Sequence, residues 1–384
     1  MLRSMPVFLL ALIGAMFLGF SWIPIEVRSA MYGLSLSLKS VILFVLPFLV
    51  FTLLFQTCVR MSNGGVRGML AIVICVCVSN FVSTMVSFGV GSIGYQFDLT
   101  FAVPSESSSL APNWFVTLPQ WVSTGKAMIA ALILGLGMRK WFSRQAERLT
   151  AWFELATTHF FRFFPYALPP FIAGFIIKML HDGTIGMIAR EFGLIFVLFA
   201  VAVGAYIVLL YLVAYDFRVI LAWKGMQNML GASFVGFGSM SSAAALPLSI
   251  LGIEQNTNKS GLGALIAPAT VNNHLIGDCL AIPVFALAIL KGYGMAFPSF
   301  EGFVIFALFF VLAKFSVAAV PGGGILVMLP LLEAHFGFNA EMLSLITALY
   351  VLFDPIITAM NVFGNGAFAL LVGKRVRFLK NNLA

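Results

Sequence analysis

Charge is what this sequence has least of: only 9% of its 384 residues are Asp, Glu, Lys or Arg, and its mean hydropathy is +1.04. A soluble domain carries about 25% charged residues, so a chain this long with so few is not covered by water. Cysteine is also scarce. Cys58, Cys75, Cys77 and Cys279 lie inside apolar runs and form neither a metal-ligand spacing nor an extracellular disulfide framework, so they read as small core residues. The net charge of +8 comes from basic residues scattered between apolar spans rather than massed with aromatics in one region. That distribution excludes nucleic acid as a partner and leaves the membrane surface. No stretch reads as a soluble domain, and no nucleophile motif of an enzyme is present.

The remaining 61% of the chain is hydrophobic and is arranged in stretches of membrane-spanning length. About 18 to 25 apolar residues cross a hydrocarbon core of about 30 Å as a helix. The first stretch, Met5 to Pro24, follows a basic residue as a signal peptide would, but it is long and lacks a small-residue cleavage site, so it is expected to be a retained helix. Further spans are predicted at Leu36 to Val59, Met69 to Gly94, Trp121 to Met138, His159 to Leu180 and Gly186 to Tyr215, with two more in the C-terminal half. With a cytoplasmic N-terminus, the inner loops collect Arg60, Arg67, Arg139, Lys140, Arg144, Arg148, Arg218, Lys224 and Lys259, and the tail adds Lys374, Arg375, Arg377 and Lys380. This bias follows the positive-inside rule and puts both termini on the cytoplasmic side of a plasma (inner) membrane. The loop from Tyr95 to Gln120, rich in Ser and Pro and free of Lys and Arg, is expected to be a flexible outer connector.

The charge count balances only if two apolar regions do not cross. Gly225 to Ile253 is split by Ser239, Ser241 and Ser242, and Phe303 to His335 is split by Pro321, Gly322, Gly323 and Gly324, where three glycines after a proline cannot continue a stable helix. Both read as re-entrant hairpins, one entering from each face. Broken backbone at membrane depth is tolerated only where protein or a wet cavity satisfies its N–H and C=O groups, so such breaks mark a site. The fold class is therefore all-α and polytopic: eight transmembrane helices plus two re-entrant hairpins, in the inverted-repeat order typical of secondary transporters.

The final helix carries the sharpest pattern. Asp354, Thr358, Asn361 and Asn365 are spaced by four, three and four residues, which puts them on one stripe of an otherwise apolar helix. A carboxylate at mid-membrane costs at least about 2.5–3.5 kcal/mol on insertion scales, so Asp354 is expected to face a partner or a cavity. The alternative is a structural Asp that caps a local break at Pro355. The helix from Gly263 to Leu290 is interrupted by Pro268, Thr270, Asn272, Asn273, His274, Gly277 and Asp278, which reads either as an unwound segment offering carbonyls to a cation or solute, or as an interhelical hydrogen-bond patch. His274 can change charge near neutral pH, although a lone buried His is more often a packing residue. Lys314, two turns before the Pro321 tip, either snorkels to the interface or serves the site. The second arm of each hairpin starts with free N–H groups at a positive dipole end, which suits a carboxylate.

These residues resemble the glutamate-transporter-like family of dicarboxylate/amino acid:cation symporters. The likeness is carried by Ser239-Met-Ser-Ser-Ala-Ala-Ala-Leu-Pro247, Val320-Pro-Gly-Gly-Gly324, in part Ala269-Thr-Val-Asn-Asn-His274, and Asp354, Thr358 and Asn361-Val-Phe-Gly-Asn365. It implies a homotrimer in which a scaffold (residues 1–60 and 117–183) holds still while a transport unit (66–94 and 186–376) moves as an elevator. It also implies that Ser241, Ser242, Pro321, Gly322, Gly323, Asp354, Ile357, Thr358 and Asn361 bind solute, and that Asn272, His274, Asp278, Lys314, Asn361 and Asn365 serve coupling. Ile357 stands where acidic-substrate members place an arginine, and His274 and Asn365 stand where sodium-binding aspartates fall. Lys314 lies close to a sodium position, where its fixed ammonium is expected to stand in for a bound cation and to satisfy Asp354 or the hairpin carbonyls. The expected partner is a neutral amino acid or similar small amine-bearing solute, with transport expected to run on protons or solute exchange rather than on a multi-sodium gradient, a sodium site rebuilt by Asp278, Asn272 and Asn361 as the alternative, and no cofactor or further metal. An ion channel, an acidic amino acid:sodium symporter, and an enzyme using Ser241 or Ser242 with His274 are the competing classes.

Overall fold

The computed structural model describes residues 14–16, 18–60, 66–96, 110–119, 121–122, 124–182, 185–257, 262–317 and 323–375. Residues 5–13 and 17 of the expected first span, Met5 to Pro24, lie outside the described residues. The described chain is helical: α1 (Ile25–Arg60), α2 (Val66–Tyr95), α3 (Thr124–Trp141), α4 (Ser143–His181), α5 (Ile185–Ala214), α6 (Val219–Ser239), α7 (Leu246–Thr257), α8 (Leu262–Thr270), α9 (Ile276–Gly292), α10 (Phe300–Lys314), α11 (Gly323–Phe336) and α12 (Ala340–Arg375). Among the described residues there is no strand. Ala71–Tyr95, Gly193–Ala214 and Ala340–Lys374 are long and apolar enough to cross a membrane by length and composition.

The helices end where the sequence withdraws support for them. α6 stops at the serine cluster and α7 resumes at Leu246, α8 stops at Thr270 and α9 resumes at Ile276, and α10 stops at Lys314 before the glycine run that opens α11. All three predicted interruptions are thus helix breaks. Pro355 is different. α12 runs through it without a break, so Asp354 caps no discontinuity there.

Packing sorts the helices. α1 lies along α3 and α4, α2 along α9, and α12 against α6 and α9, while α6 pairs with α7 and α10 with α11. Every residue of α9 from Ile276 to Leu290 is buried. A helix apolar all round belongs in an interior, and α9 with its neighbour α12 forms the centre around which the breaks gather.

The expected outer connector is ordered in its described second half. Leu110 N donates to Asp182 Oδ1 at 3.0 Å, Val116 N to Ser37 Oγ at 2.9 Å and Leu118 N to Ser40 Oγ at 2.6 Å, so the strap is pinned to the end of α4 and along α1 by side chains that accept from its N–H groups. Residues 97–109 of that loop lie outside the described set.

Candidate functional site

The stripe on α12 is buried, with Asp354, Thr358, Asn361 and Asn365 each 3–4% exposed. Thr358 Oγ1 donates to Asp354 Oδ1 at 3.0 Å, one turn along the helix. One turn further, Asn361 reaches across to the start of α9. Its Oδ1 accepts from Gly277 N at 2.8 Å, and its Nδ2 donates to Asp278 Oδ1 at 2.9 Å. This approach needs a glycine, because a Cβ at Gly277 would overlap the carbonyl oxygen of Ile357.

Asp278 is the centre of a buried polar cluster. Its Oδ2 lies 2.9 Å from Lys314 Nζ, and its Oδ1 also accepts from Tyr350 OH at 3.3 Å. The two side chains of the ion pair are 0% and 1% exposed. The pair sits between helix ends of matching sign: Asp278 is in the first turn of α9, and Lys314 is in the last turn of α10. Gly324, in the first turn of α11, completes the enclosure, since any Cβ there would overlap Asp278 Oδ2 and Tyr350 OH.

A small pocket opens beside this cluster. α12 contributes Tyr350, Asp354, Thr358 and Asn361 to its wall, the α8–α9 break and α9 contribute Leu275 and Asp278, the tip between α6 and α7 contributes Met240 and Ser242, and the α10–α11 pair contributes Val317 and Gly324. All three breaks therefore meet at one place. Met240 holds a left-handed conformation at φ 50°, and it is buried at the tip. Such a conformation costs a non-glycine residue about 1–2 kcal/mol, and here it turns the chain back toward α7.

Behind the cavity, α2 braces the α8–α9 break. Asn80 Nδ2 donates to Asn273 O at 2.7 Å, and Leu275 N donates to Asn80 Oδ1 at 3.3 Å, so one buried amide satisfies both sides of the interrupted backbone. His274 bridges the same elements: Nε2 lies 2.8 Å from Ser79 Oγ and Nδ1 lies 2.8 Å from Asn365 Oδ1. Its ring is fully buried against Phe368.

The expected residues divide accordingly. Ser242, Asp278, Asp354, Thr358 and Asn361 line the cavity, Lys314 joins them through Asp278, and His274 pairs with Asn365 one layer behind. Lys314 meets Asp278 rather than Asp354 or a hairpin carbonyl, because the first turn of α9 carries that carboxylate to the end of α10. Ser241 shapes the tip, accepting from Ala244 N at 3.3 Å, and does not line the cavity. Gly323 is the buried first residue of α11, one position before the glycine that does. Ile357 is fully buried outside the lining, with its carbonyl against Gly277. Asn272 is exposed and turned from the cluster, since the chain between helices follows no 3.6-residue period. Pro321 and Gly322 lie outside the described residues. The enzymatic reading fails on geometry, because both ring nitrogens of His274 are engaged by Ser79 and Asn365. Sequence reasoning missed Ser79, Asn80, Met240, Leu275, Val317 and Tyr350. Only Tyr350 carried a signal, standing four residues before Asp354 on the same stripe.

Three helix breaks facing one polar stripe across a membrane-type helical bundle is a transporter-like arrangement, and comparison with known proteins agrees. The family model described as the sodium:dicarboxylate symporter family matches residues 5–375. The chain belongs to this family. An "Excitatory amino acid transporter" of Onchocerca volvulus is 30% identical over 148 residues, which is 38% of this chain and 30% of that protein. A protein of the same description from Caenorhabditis elegans is also 30% identical over 148 residues, 38% of this chain and 29% of the relative. The match thus spans less than a third of the length of these curated relatives.

Proposed function

We propose that this member of the sodium:dicarboxylate symporter family is a secondary transporter, symporter or exchanger, that moves a small neutral amino acid or similar amine-bearing solute by alternating access. The observation that carries the reading is Asp354, held by Thr358 on the wall of a small cavity at the meeting point of three helix breaks. A buried carboxylate facing a cavity suits an ammonium group, and the N-terminal end of α11 suits the carboxylate of the same solute. Ser242, Thr358 and Asn361 supply further polar contacts, with Ser241 and Gly323 shaping the access route.

In this reading the chain crosses the membrane eight times, and the pairs α6–α7 and α10–α11 are re-entrant hairpins that enter from opposite faces. Helices α1, α3 and α4 act as the scaffold of a homotrimer, while α2 and α5 to α12 move as an elevator. The packing of α1 against α3 and α4, and of α2 against α9, supports this division. Coupling relies on protons or on solute exchange, with His274, Asn365, Asp278 and Lys314 as the residues involved and Asn272 at the edge of the unwound segment.

The family's description and the names of the two relatives favour a second reading, an acidic amino acid or dicarboxylate:sodium symporter with altered ligands. One experiment separates the two. The purified chain in proteoliposomes should show saturable counterflow of labelled neutral amino acids and little of glutamate or aspartate. Sodium-driven accumulation of glutamate would establish the second reading, and large unitary currents without counterflow would establish a channel.

A further inference from the structure

The Lys314–Asp278 pair is an unusual thing to bury beside a solute cavity. Removing an ion from water costs several kcal/mol, and a well-packed neutral pair of the same volume is often as stable as a buried ion pair. Stability alone therefore does not account for it. The surroundings are nevertheless built for both charges. Asp278 accepts from Asn361 and Tyr350 as well as from Lys314, and the Lys314 ammonium also lies 4.5 Å from the centroid of the Phe310 ring. Lys314 stands in the last turn of α10, whose carbonyl end favours a cation, while Asp278 faces the cavity from the first turn of α9. A monovalent positive charge is thus fixed, fully buried, at a carboxylate oxygen that a dissociable monovalent cation would use.

We infer that Lys314 is the resident cation of this site: a tethered ammonium that takes the place of a sodium ion opposite Asp278, so that solute exchange at the cavity needs no sodium there. The inference rests on the transporter reading only in assigning the cavity to solute. Its physical core is narrower. Taking the ammonium away leaves a buried carboxylate with two neutral donors and a vacated space, and sodium is a cation of the same charge that accepts carboxylate and carbonyl oxygens. The substitution that removes Lys314 therefore creates a sodium site where the wild type has none.

The test is sodium binding and thermal unfolding of the full chain in nanodiscs, with choline chloride replacing sodium chloride at constant ionic strength. Neither readout requires knowledge of the solute, so failure here is separable from failure of the proposed transport function. Lys314→Ala should acquire a saturable rise in melting midpoint with sodium and bind radiolabelled sodium that the wild type does not. Lys314→Ala with Asp278→Asn should lose that response. Lys314→Gln, which keeps most of the side-chain bulk without the charge, provides a second variant should alanine give no folded protein. A folded Lys314→Ala or Lys314→Gln protein with no more sodium response than the wild type overturns the inference. So does failure of both variants to fold in sodium, because it means that no mobile cation can take the place of the ammonium.

Discussion

His274 and Asn365, ninety-one positions apart, meet in the interior with Nδ1 of the imidazole 2.8 Å from the amide oxygen. An amide oxygen only accepts, so Nδ1 carries the hydrogen, and Nε2 is left to accept from Ser79 Oγ at 2.8 Å. This arrangement suits a neutral ring. A second proton on Nε2 would require the Ser79 hydroxyl to turn and accept, a small motion that links the α8–α9 break to α2. In the proposed coupling role, protonation of His274 reverses the polarity of that hydrogen bond. His274→Ala should abolish any response of uptake to an imposed pH gradient while leaving counterflow measurable. It should also lower the melting midpoint, since orphaning the buried Asn365 amide costs about 1–3 kcal/mol. Proteoliposome uptake under separate sodium and pH gradients checks the first outcome. Strong sodium dependence with no pH response in the wild type, and no effect of His274→Ala, would remove the residue from coupling.

Asp354→Asn keeps an oxygen for the Thr358 hydroxyl, so the helix and the cavity wall should survive. The solute ammonium loses a charged acceptor. Hydrogen bonds to charged groups contribute about 1.5–3 kcal/mol, which corresponds to about ten- to a hundredfold in affinity. Uptake of amine-bearing solutes should fall by at least that factor with little change in melting midpoint. Unchanged uptake would take Asp354 out of the site.

The parts of this site that could be read from the sequence are those in which local geometry fixes the side chains. The spacing of Asp354, Thr358, Asn361 and Asn365 has one meaning on a helix, and the serine and glycine clusters cannot continue one. Partnership across the fold is a different matter. Lys314 and Asp278 are thirty-six positions apart on different helices, and no periodicity relates them. Asn80 and Ser79 look like any polar residues of an apolar helix until the α8–α9 break is set against them. Outside the helices even direction is lost: Asn273 gives its carbonyl to Asn80, while adjacent Asn272 faces outward.

Gly324→Ala tests how tightly the α10–α11 pair closes on α9. The added methyl would overlap Asp278 Oδ2 and Tyr350 OH, and neither can retreat without breaking a buried hydrogen bond. Overpacking of this kind costs about 1–3 kcal/mol. The variant should melt earlier and transport poorly, whereas Gly89→Ala, with open space at its Cβ, should do neither. Equal behaviour of the two in thermal unfolding would contradict the close approach.

Topology can be checked on residues of known exposure. With both termini cytoplasmic, the strap at 110–119 faces outward and the α3–α4 corner faces inward. In a background without the four native cysteines, Thr117→Cys should react with an impermeant maleimide added outside intact cells. Ser143→Cys should react only after permeabilisation. Both side chains are exposed, so access is decided by the side of the membrane. Reversed labelling would overturn the orientation.

Substrate charge follows from the balance of the cavity wall. Among the described lining residues there are two carboxylates, Asp278 and Asp354, and no basic side chain. Lys314 neutralises the first from behind, so its charge is already committed and cannot also receive a carboxylate from the solute. Ile357, at the position where a cationic partner is expected for acidic substrates, is fully buried and outside the lining. A solute with one ammonium and one carboxylate is matched by Asp354 and the N-terminal end of α11. A second carboxylate would enter beside two others without a counter-charge, at a cost of several kcal/mol. Each 1.4 kcal/mol is about tenfold in affinity, so glutamate and aspartate should compete with a neutral amino acid at least about a hundredfold more weakly. Competition against labelled neutral solute in proteoliposomes measures this directly. Glutamate competing as well as the neutral solute would mean that a positive group outside the described lining reaches the cavity, and the acidic-substrate reading would then replace the neutral one.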